Sequence, residues 1–400
     1  MRILVADKLA PFVAGRLQDL GAVVTVDPTA KDAALTAKIA EIDPEAVVVR
    51  STKVTAADVA AGPSLSLVIR AGAGVNTIDL AAASARGVYV ANCPGKNAIA
   101  VAELAVGLLV ACDRRIPDNV AALREGRWDK KAFGAARGLN GRRLAVLGVG
   151  QIGREFIARA QALGMRVTAW SRSLTPAAAA ALGGEPADTP EAAVAGAHAV
   201  SVHLALAKET RGRVGESIFA AMKSGAIFIN TARAEVVDHD ALLRAIDERK
   251  LRVGLDVFPG EPSSSQAEFF HPLAQHPSVY GTHHVGASTD EAEEAVGEEV
   301  VRIVAAYRAG APIPNCVNLA AQTPATHMLM VRHADRVGVL AGVLGILREG
   351  GVNVEDMQNI IFSGGEAACA RIAVKGALGA DALARIRSLP NIFAASLVDI

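Results

Sequence analysis

Short apolar runs recur from the start of the chain, I-L-V-A, A-V-V-T-V, A-V-V-V-R, L-V-I-R-A-G and V-Y-V-A-N, with helically spaced stretches between them. This alternation predicts a parallel sheet with helices on its faces. A second series opens near Leu144 with L-A-V-L-G-V and continues through M-R-V-T-A-W, A-V-S-V-H-L, A-I-F-I-N, V-G-L-D-V-F and S-V-Y-G-T-H. Two doubly wound units therefore follow one another. Residues 310–326 hold three prolines and little periodicity, which reads as a linker. Beyond it the order changes to strand 328–331, helix 338–348, strands 352–362 and 367–374, helix 380–388 and strand 393–398, a βαββαβ pattern large enough to fold independently.

Composition narrows the function class. The 400 residues are 51% hydrophobic and 20% charged, a folded profile of two or three domains. Lysine plus arginine equals aspartate plus glutamate at 41 each, so no global field draws the chain to nucleic acid or anionic lipid. Small-molecule chemistry is the expectation. Cys93, Cys112, Cys316 and Cys369 form no CxxC pair, which argues against zinc and against a disulfide framework and fits a reducing cytoplasm. M-R-I-L-V-A-D-K reads as a buried strand rather than a signal segment. The longest apolar run, 98–112, is interrupted by Glu103 and falls short of the ~20 residues that span a bilayer, so a buried helix is expected.

G-V-G-Q-I-G, 148–153, fits GxGxxG between a strand and an amphipathic helix. In that context Gly148 permits a tight turn, Gly150 lets the backbone approach a pyrophosphate, and Gly153 lets the helix pack on the strand. Gln151 and Ile152 open the helix, whose free N–H groups would bind the anion. A purely structural glycine turn is the alternative. The next strand ends at Ser171 and Arg172, where an acidic residue would select NAD. A hydroxyl and a guanidinium suit a ribose 2'-phosphate and hence NADP; solvated loop residues beside an NAD site are the other reading.

Three further segments follow strand ends: N-T-A-R-A-E-V-V-D (230–238, with Thr231 and Arg233), G-L-D-V-F-P-G-E-P (254–262, with Asp256 and Glu261) and H-H-V-G-A-S-T (283–289). Ligands of open α/β sheets collect at such ends. An arginine, a carboxylate and a histidine there suit hydride transfer at an alcohol carbon. The arginine would clamp a substrate carboxylate and polarise the carbonyl, the histidine would exchange the hydroxyl proton, and the glutamate would orient the imidazole.

These segments, with V-V-R-S-T-K-V, R-A-G-A-G-V-N-T-I-D and N-C-P-G-K-N, resemble the D-isomer-specific 2-hydroxyacid dehydrogenases over nearly the whole first 320 residues. The resemblance implies a flavodoxin-like substrate lobe (1–95 with 286–310), a Rossmann dinucleotide lobe (96–285) and a linker (311–326). It implies Arg233 as the substrate-orienting arginine, Glu261 as the partner carboxylate and His284 as the acid/base, although His283 stands beside it. Asp256 would contact the nicotinamide amide. The backbone of Gly74, Val75 and Asn76 would cradle the substrate carboxylate. Arg50, Lys53 and Arg70 are candidates for a substrate phosphate; for Arg50 and Arg70 the alternative is surface charge at a strand end. The branch matched most closely interconverts 3-phosphoglycerate and phosphohydroxypyruvate with NAD or NADP. Ala234 and Ala205 depart from the usual glycine and proline without removing a catalytic group. Lys130 and Lys131 in W-D-K-K-A-F match a loop that lends a cation to a neighbouring subunit, or form a solvated pair. Helix 98–112 matches a dimerisation arm, implying a homodimer or homotetramer. No histidine spacing suggests a metal.

M-L-M-V-R-H-A-D-R-V-G-V-L-A-G-V with G-G-V-N-V resembles an ACT domain, a ferredoxin-like effector fold, over 327–400. Its matching residues are His333, Asp335 and Asn353, implying an amino-acid effector such as serine. Asp335 replaces an asparagine and Val337 a proline, so a domain kept for assembly alone stands beside that reading. Two other functions share the first 320 residues: an NADPH-dependent glyoxylate or hydroxypyruvate reductase, which Ser171 and Arg172 favour, and a dinucleotide-sensing transcriptional corepressor.

Overall fold

The computed structural model describes residues 1–262, 266–376 and 378–400. The chain forms two compact units, Met1–Asn318 and Leu319–Ile400. The first unit holds two parallel sheets. Strands β1 (Arg2–Val5), β2 (Val23–Val26), β3 (Ala46–Val49), β4 (Leu67–Arg70) and β5 (Tyr89–Asn92) lie in the order β2-β1-β3-β4-β5. All four residues of β3 are buried, as expected of a central strand covered on both faces.

The second sheet contains β6 (Arg143–Leu147), β7 (Arg166–Trp170), β8 (Glu185–Pro186), β9 (Ala199–Val202), β10 (Ile227–Asn230), β11 (Arg252–Leu255) and β12 (Val279–Gly281), ordered β12-β11-β10-β9-β6-β7-β8. The order reverses between β6 and β9, the switch point at which such sheets open a ligand crevice. Strand β8 has no counterpart in the apolar pattern, because two exposed edge residues, one a proline, carry no strand signal.

After β12 the chain returns to the first lobe. Helix Asp290–Arg308 buries Val296, Val300, Ile303 and Val304 against Ile3, Val13 and Leu17. Gly297 makes this approach possible, since a Cβ there would stand 2.7 Å from Val13 and 2.9 Å from Phe12. Part of the segment expected as a linker is docked on β5. The Asn92 N–H donates to the Asn315 carbonyl (3.3 Å) and the Val317 N–H to the Val90 carbonyl (2.8 Å). The Asn318 side chain accepts from the Val90 N–H and donates to the Val88 carbonyl, both at 2.8 Å. Backbone and amide pairing of this kind needs no apolar periodicity, so the sequence pattern hides it.

The second unit is an antiparallel sheet of β13 (His327–Ala334), β14 (Asn353–Ile361), β15 (Ala367–Lys375) and β16 (Ile392–Asp399), ordered β14-β15-β13-β16. Helices Val339–Glu349 and Ala380–Ser388 complete the βαββαβ order. Its core joins Leu329, Val331, Val343, Ile346, Ile372 and Ile386. Among the described residues no helix is long and apolar enough to cross a membrane.

Candidate active site

The glycine turn has the geometry its spacing predicts. Gly148 adopts φ +101°, and a Cβ there would meet the His203 backbone at 2.6 Å. A Cβ at Gly153 would lie 2.2 Å from the Gly148 carbonyl oxygen, so only glycine lets the helix sit this close to the strand. Gly150 faces open space. It precedes helix Gln151–Ala162, whose first turn has no side-chain cap and so presents free N–H groups. The Gln151 side chain stands over Gly95, where a Cβ would be 2.2 Å from its Oε1.

Two buried polar atoms beside the turn have no partner among the described residues: Thr231 Oγ1 at the end of β10 and His203 Nδ1 after β9. The other His203 ring nitrogen pairs with the Ser201 hydroxyl at 2.9 Å, and burial pushes the imidazole down to about 3, so it is neutral. A glycine cradle with orphaned polar groups at its rim fits a dinucleotide. Arg172 is exposed at the end of β7 and makes no ion pair or hydrogen bond among the described residues; Ser171 beside it is half-buried.

The catalytic candidates meet at the neighbouring strand ends. His284 Nδ1 donates to Glu261 Oε2 at 2.6 Å, while Glu261 Oε1 accepts the Phe258 N–H at 2.7 Å. This bond places the imidazole proton on Nδ1 and leaves Nε2 free to take a proton. Burial, the largest effect on Glu261, pushes its carboxyl up. The His284 and Phe258 bonds, with the charge of Arg233, more than offset that and hold it below the ordinary carboxylate value. His284 lies in the left-handed region at φ +54° and is kept there by Asp256. That buried carboxylate accepts from the Thr282 hydroxyl (2.6 Å) and from the Val285 and Gly286 N–H groups (both 2.9 Å). Asp256 thus braces the histidine loop. His283 is exposed and makes no hydrogen bond or ion pair with Glu261.

Arg233 follows β10, and buried Asn230 brackets its backbone by donating to the Arg233 carbonyl and accepting the Ala232 N–H, both at 3.0 Å. The guanidinium reaches the first lobe: a Cβ at Gly74 would lie 2.9 Å from its Nη2. The loop Gly74–Asn76 is pinned from below, because the Asn92 amide donates to the Ala73 carbonyl (2.6 Å) and the Cys93 N–H to the Gly72 carbonyl (2.9 Å). Lys53 is exposed beside this loop, since the next residue, Val54, bridges to Ile78.

Arg50 is held by Asp7, a buried carboxylate that accepts the N–H groups of Arg50, Ser51 and Thr52 at 2.6, 3.0 and 3.0 Å. Its side chain pairs with Glu293 at 2.7 Å. Arg70, by contrast, has no ion-pair partner among the described residues. Burial first, then the nearby Arg233, lowers its pKa to about 10. The charged form is therefore disfavoured by the fold at every pH below about 10. Arg70→Met is expected to raise the thermal midpoint by a few degrees, about 1 kcal/mol, while raising KM for an anionic substrate at least about tenfold. Calorimetry and steady-state kinetics on the same preparation check both halves.

Asp7, Asn92 and Asn230 are site-building residues that the sequence reading missed. The available signal was position, since each stands at or just past the end of a buried strand.

The remaining candidates lie elsewhere. Lys130 and Lys131 are exposed on the one-turn helix Lys130–Phe133, capped by Asp129. In the second unit, His333 is buried on β13 with its ring between the Ala334 carbonyl (2.8 Å) and Asn359 (3.2 Å). Asp335 lies just beyond it. Asn353 is exposed and donates to Glu355 (2.8 Å). His333 pairs with Ala368 and Asn353 with Lys375 along β15, so their levels in the sheet differ by roughly 23 Å. Within one chain Asn353 does not reach His333. Among the described residues no cluster could hold a metal.

A doubly wound nucleotide lobe that sets an arginine and a carboxylate–imidazole pair against a second doubly wound lobe defines a two-lobed dinucleotide-binding protein. The family model described as the NAD-binding domain of D-isomer-specific 2-hydroxyacid dehydrogenases matches residues 106–286. The chain is 39% identical over 348 residues to D-3-phosphoglycerate dehydrogenase of Mycobacterium bovis, covering 86% of this chain and 63% of that one. It is 37% identical over 326 residues to D-3-phosphoglycerate dehydrogenase of Rattus norvegicus, covering 81% and 60%. The TT0316 protein from Thermus thermophilus matches with a TM-score of 0.71 at 30% identity, covering 79% of this chain and 100% of that one. Residues 106–286 thus carry the NAD-binding domain of the D-isomer-specific 2-hydroxyacid dehydrogenases, and the chain spans 60 to 63% of the length of these two curated relatives.

Proposed function

We propose that the chain is a NAD(P)-dependent D-3-phosphoglycerate dehydrogenase, oxidising 3-phospho-D-glycerate to 3-phosphohydroxypyruvate in serine biosynthesis. The observation that carries this reading is the approach of Arg233 to Gly74 and of Arg70 to the adjoining Gly72, neither guanidinium in an ion pair among the described residues, beside the Glu261–His284 pair. A 2-hydroxy acid needs one cation for its carboxylate; the surplus positive charge suits a phosphate on the same substrate. Relatives named D-3-phosphoglycerate dehydrogenase support it.

Arg233 pairs with the substrate carboxylate and stabilises charge on the oxygen that becomes the carbonyl. His284 Nε2 takes the hydroxyl proton, Glu261 holds the ring and offsets the imidazolium charge, and Asp256 fixes the loop. The glycine turn, Gln151, Ile152 and Thr231 would hold the dinucleotide, which supplies the hydride acceptor when bound.

Ser171 and the unpaired Arg172 support acceptance of NADP as well as NAD. Ser171→Asp is expected to shift the ratio of kcat/KM for NAD over NADP by about tenfold or more toward NAD, through repulsion of the 2'-phosphate. Exposed Ile116, Val120, Leu123 and Trp128 support a homodimer or homotetramer, and four free cysteines support a cytoplasmic setting. The C-terminal unit is read as an ACT domain for an amino-acid effector such as serine.

The test is kcat/KM for the four pairings of NADH or NADPH with phosphohydroxypyruvate or hydroxypyruvate. The phosphorylated substrate is expected to be preferred at least about a hundredfold, the worth of a charge-assisted phosphate contact. A preference for hydroxypyruvate would replace this reading with that of an NADPH-dependent reductase.

A further inference from the structure

The starts of the nucleotide-sheet strands, at the opposite end from the Arg233–His284 crevice, carry a second concentration of positive charge. A cavity of about 350 Å³ opens there between Arg137, Arg142, His198, Lys223 and Arg252, and among the described residues no carboxylate lines it. Asp113 lies fully buried behind Arg142. Asp113 pairs with Arg142 at 3.0 Å and accepts the Gly138 N–H at 3.0 Å, so it balances one of four fixed cations.

The hydrogen-bond pattern is incomplete in a way that calls for an acceptor. The Arg143 backbone N–H donates to His198 Nδ1 at 3.1 Å, which places the proton of the neutral ring on Nε2. Lys223 Nζ stands 3.3 Å from that same Nε2, so two donors face each other. Arg142 Nε is buried with no partner among the described residues. Burial first, then Lys223, Arg142, Arg143 and Arg137, hold the His198 pKa below its ordinary value, consistent with a neutral ring.

We propose that this cavity is a second anion site, built for a small polyvalent anion of the phosphate class, with Lys223 and His198 Nε2–H as its paired donors. Its volume suits a small phosphorylated molecule. Arg142 and Arg252 form the floor and also hold the end of helix Ala98–Arg114, Arg252 by donating to the Cys112 and Asp113 carbonyls at 2.8 and 3.1 Å. At the other end of that helix, Asn97 lines a cavity shared with Arg50. The site stands independently of the proposed activity.

The test follows the imidazole resonances of the full chain labelled at histidine Cε1, with His198 assigned by its loss in His198→Gln. Pyrophosphate titrated at constant ionic strength is expected to shift the His198 resonance saturably and to raise its titration midpoint, because a bound anion favours imidazolium. Lys223→Glu, at an exposed position, is expected to weaken the apparent affinity at least about tenfold, and Arg137→Glu to weaken it in the same direction. Parallel titrations with inorganic phosphate and with 3-phosphoglycerate distinguish a free phosphate from a phosphorylated metabolite by which saturates first. A His198 resonance that stays fixed while crevice histidines respond would overturn the proposal, as would an affinity unchanged in Lys223→Glu.

Discussion

Replacing His284 by glutamine is expected to lower kcat by about 10²–10⁴-fold with little change in KM, the pattern of a group that acts on the proton in the transition state rather than on binding. The geometry leaves it few substitutes. Its Nδ1 is committed to Glu261 at 2.6 Å, and its backbone is held at φ +54° by a loop that Asp256 fastens through three hydrogen bonds. Glutamine removes the proton acceptor and leaves those loop bonds in place, so a stopped-flow or steady-state loss reports chemistry and not unfolding. His283→Gln is the matched control. It is expected to retain turnover, since His283 makes no hydrogen bond or ion pair with Glu261; a reversed outcome would move the acid/base role by one residue.

Arg233→Ala is expected to lower kcat/KM by about 10³-fold or more, because in the proposed function one guanidinium would both clamp the carboxylate and face the oxygen on which charge develops. The loss should appear in kcat as well as KM. Asn230 holds the turn through backbone groups that the substitution leaves intact. The thermal midpoint is expected to hold or rise, because Arg233 is the strongest charge acting against Arg70. A fall in stability together with unchanged kcat would show a structural residue and place the substrate clamp elsewhere.

Much of this was legible in the amino-acid sequence, for identifiable reasons. Buried strands are continuous apolar runs, and a glycine turn between strand and helix admits few readings, so both sheets and the Gly148–Gly153 cradle could be read directly. The proposed catalytic trio, Arg233, Glu261 and His284, stands in segments that each follow such a run. What escaped the reading depends on partners far away along the chain. Asp7 braces Arg50 across 43 positions, and Arg50 meets Glu293 across 243. The five side chains of the second anion cavity come from separate strand starts and loops, which share no motif. Strand β8 escaped because an exposed glutamate–proline pair has no strand pattern.

In the proposed function, Arg70 and Arg233 at the Gly72–Gly74 stretch and the Glu261–His284 pair act together on a phosphorylated 2-hydroxy acid. Its most direct test is the rate of reduced-cofactor formation when the full chain meets 3-phospho-D-glycerate with NAD or NADP. Turnover with 3-phosphohydroxypyruvate as product is expected, and its loss in Arg233→Ala. Absence of that turnover in a preparation that reduces glyoxylate would contradict the proposed function.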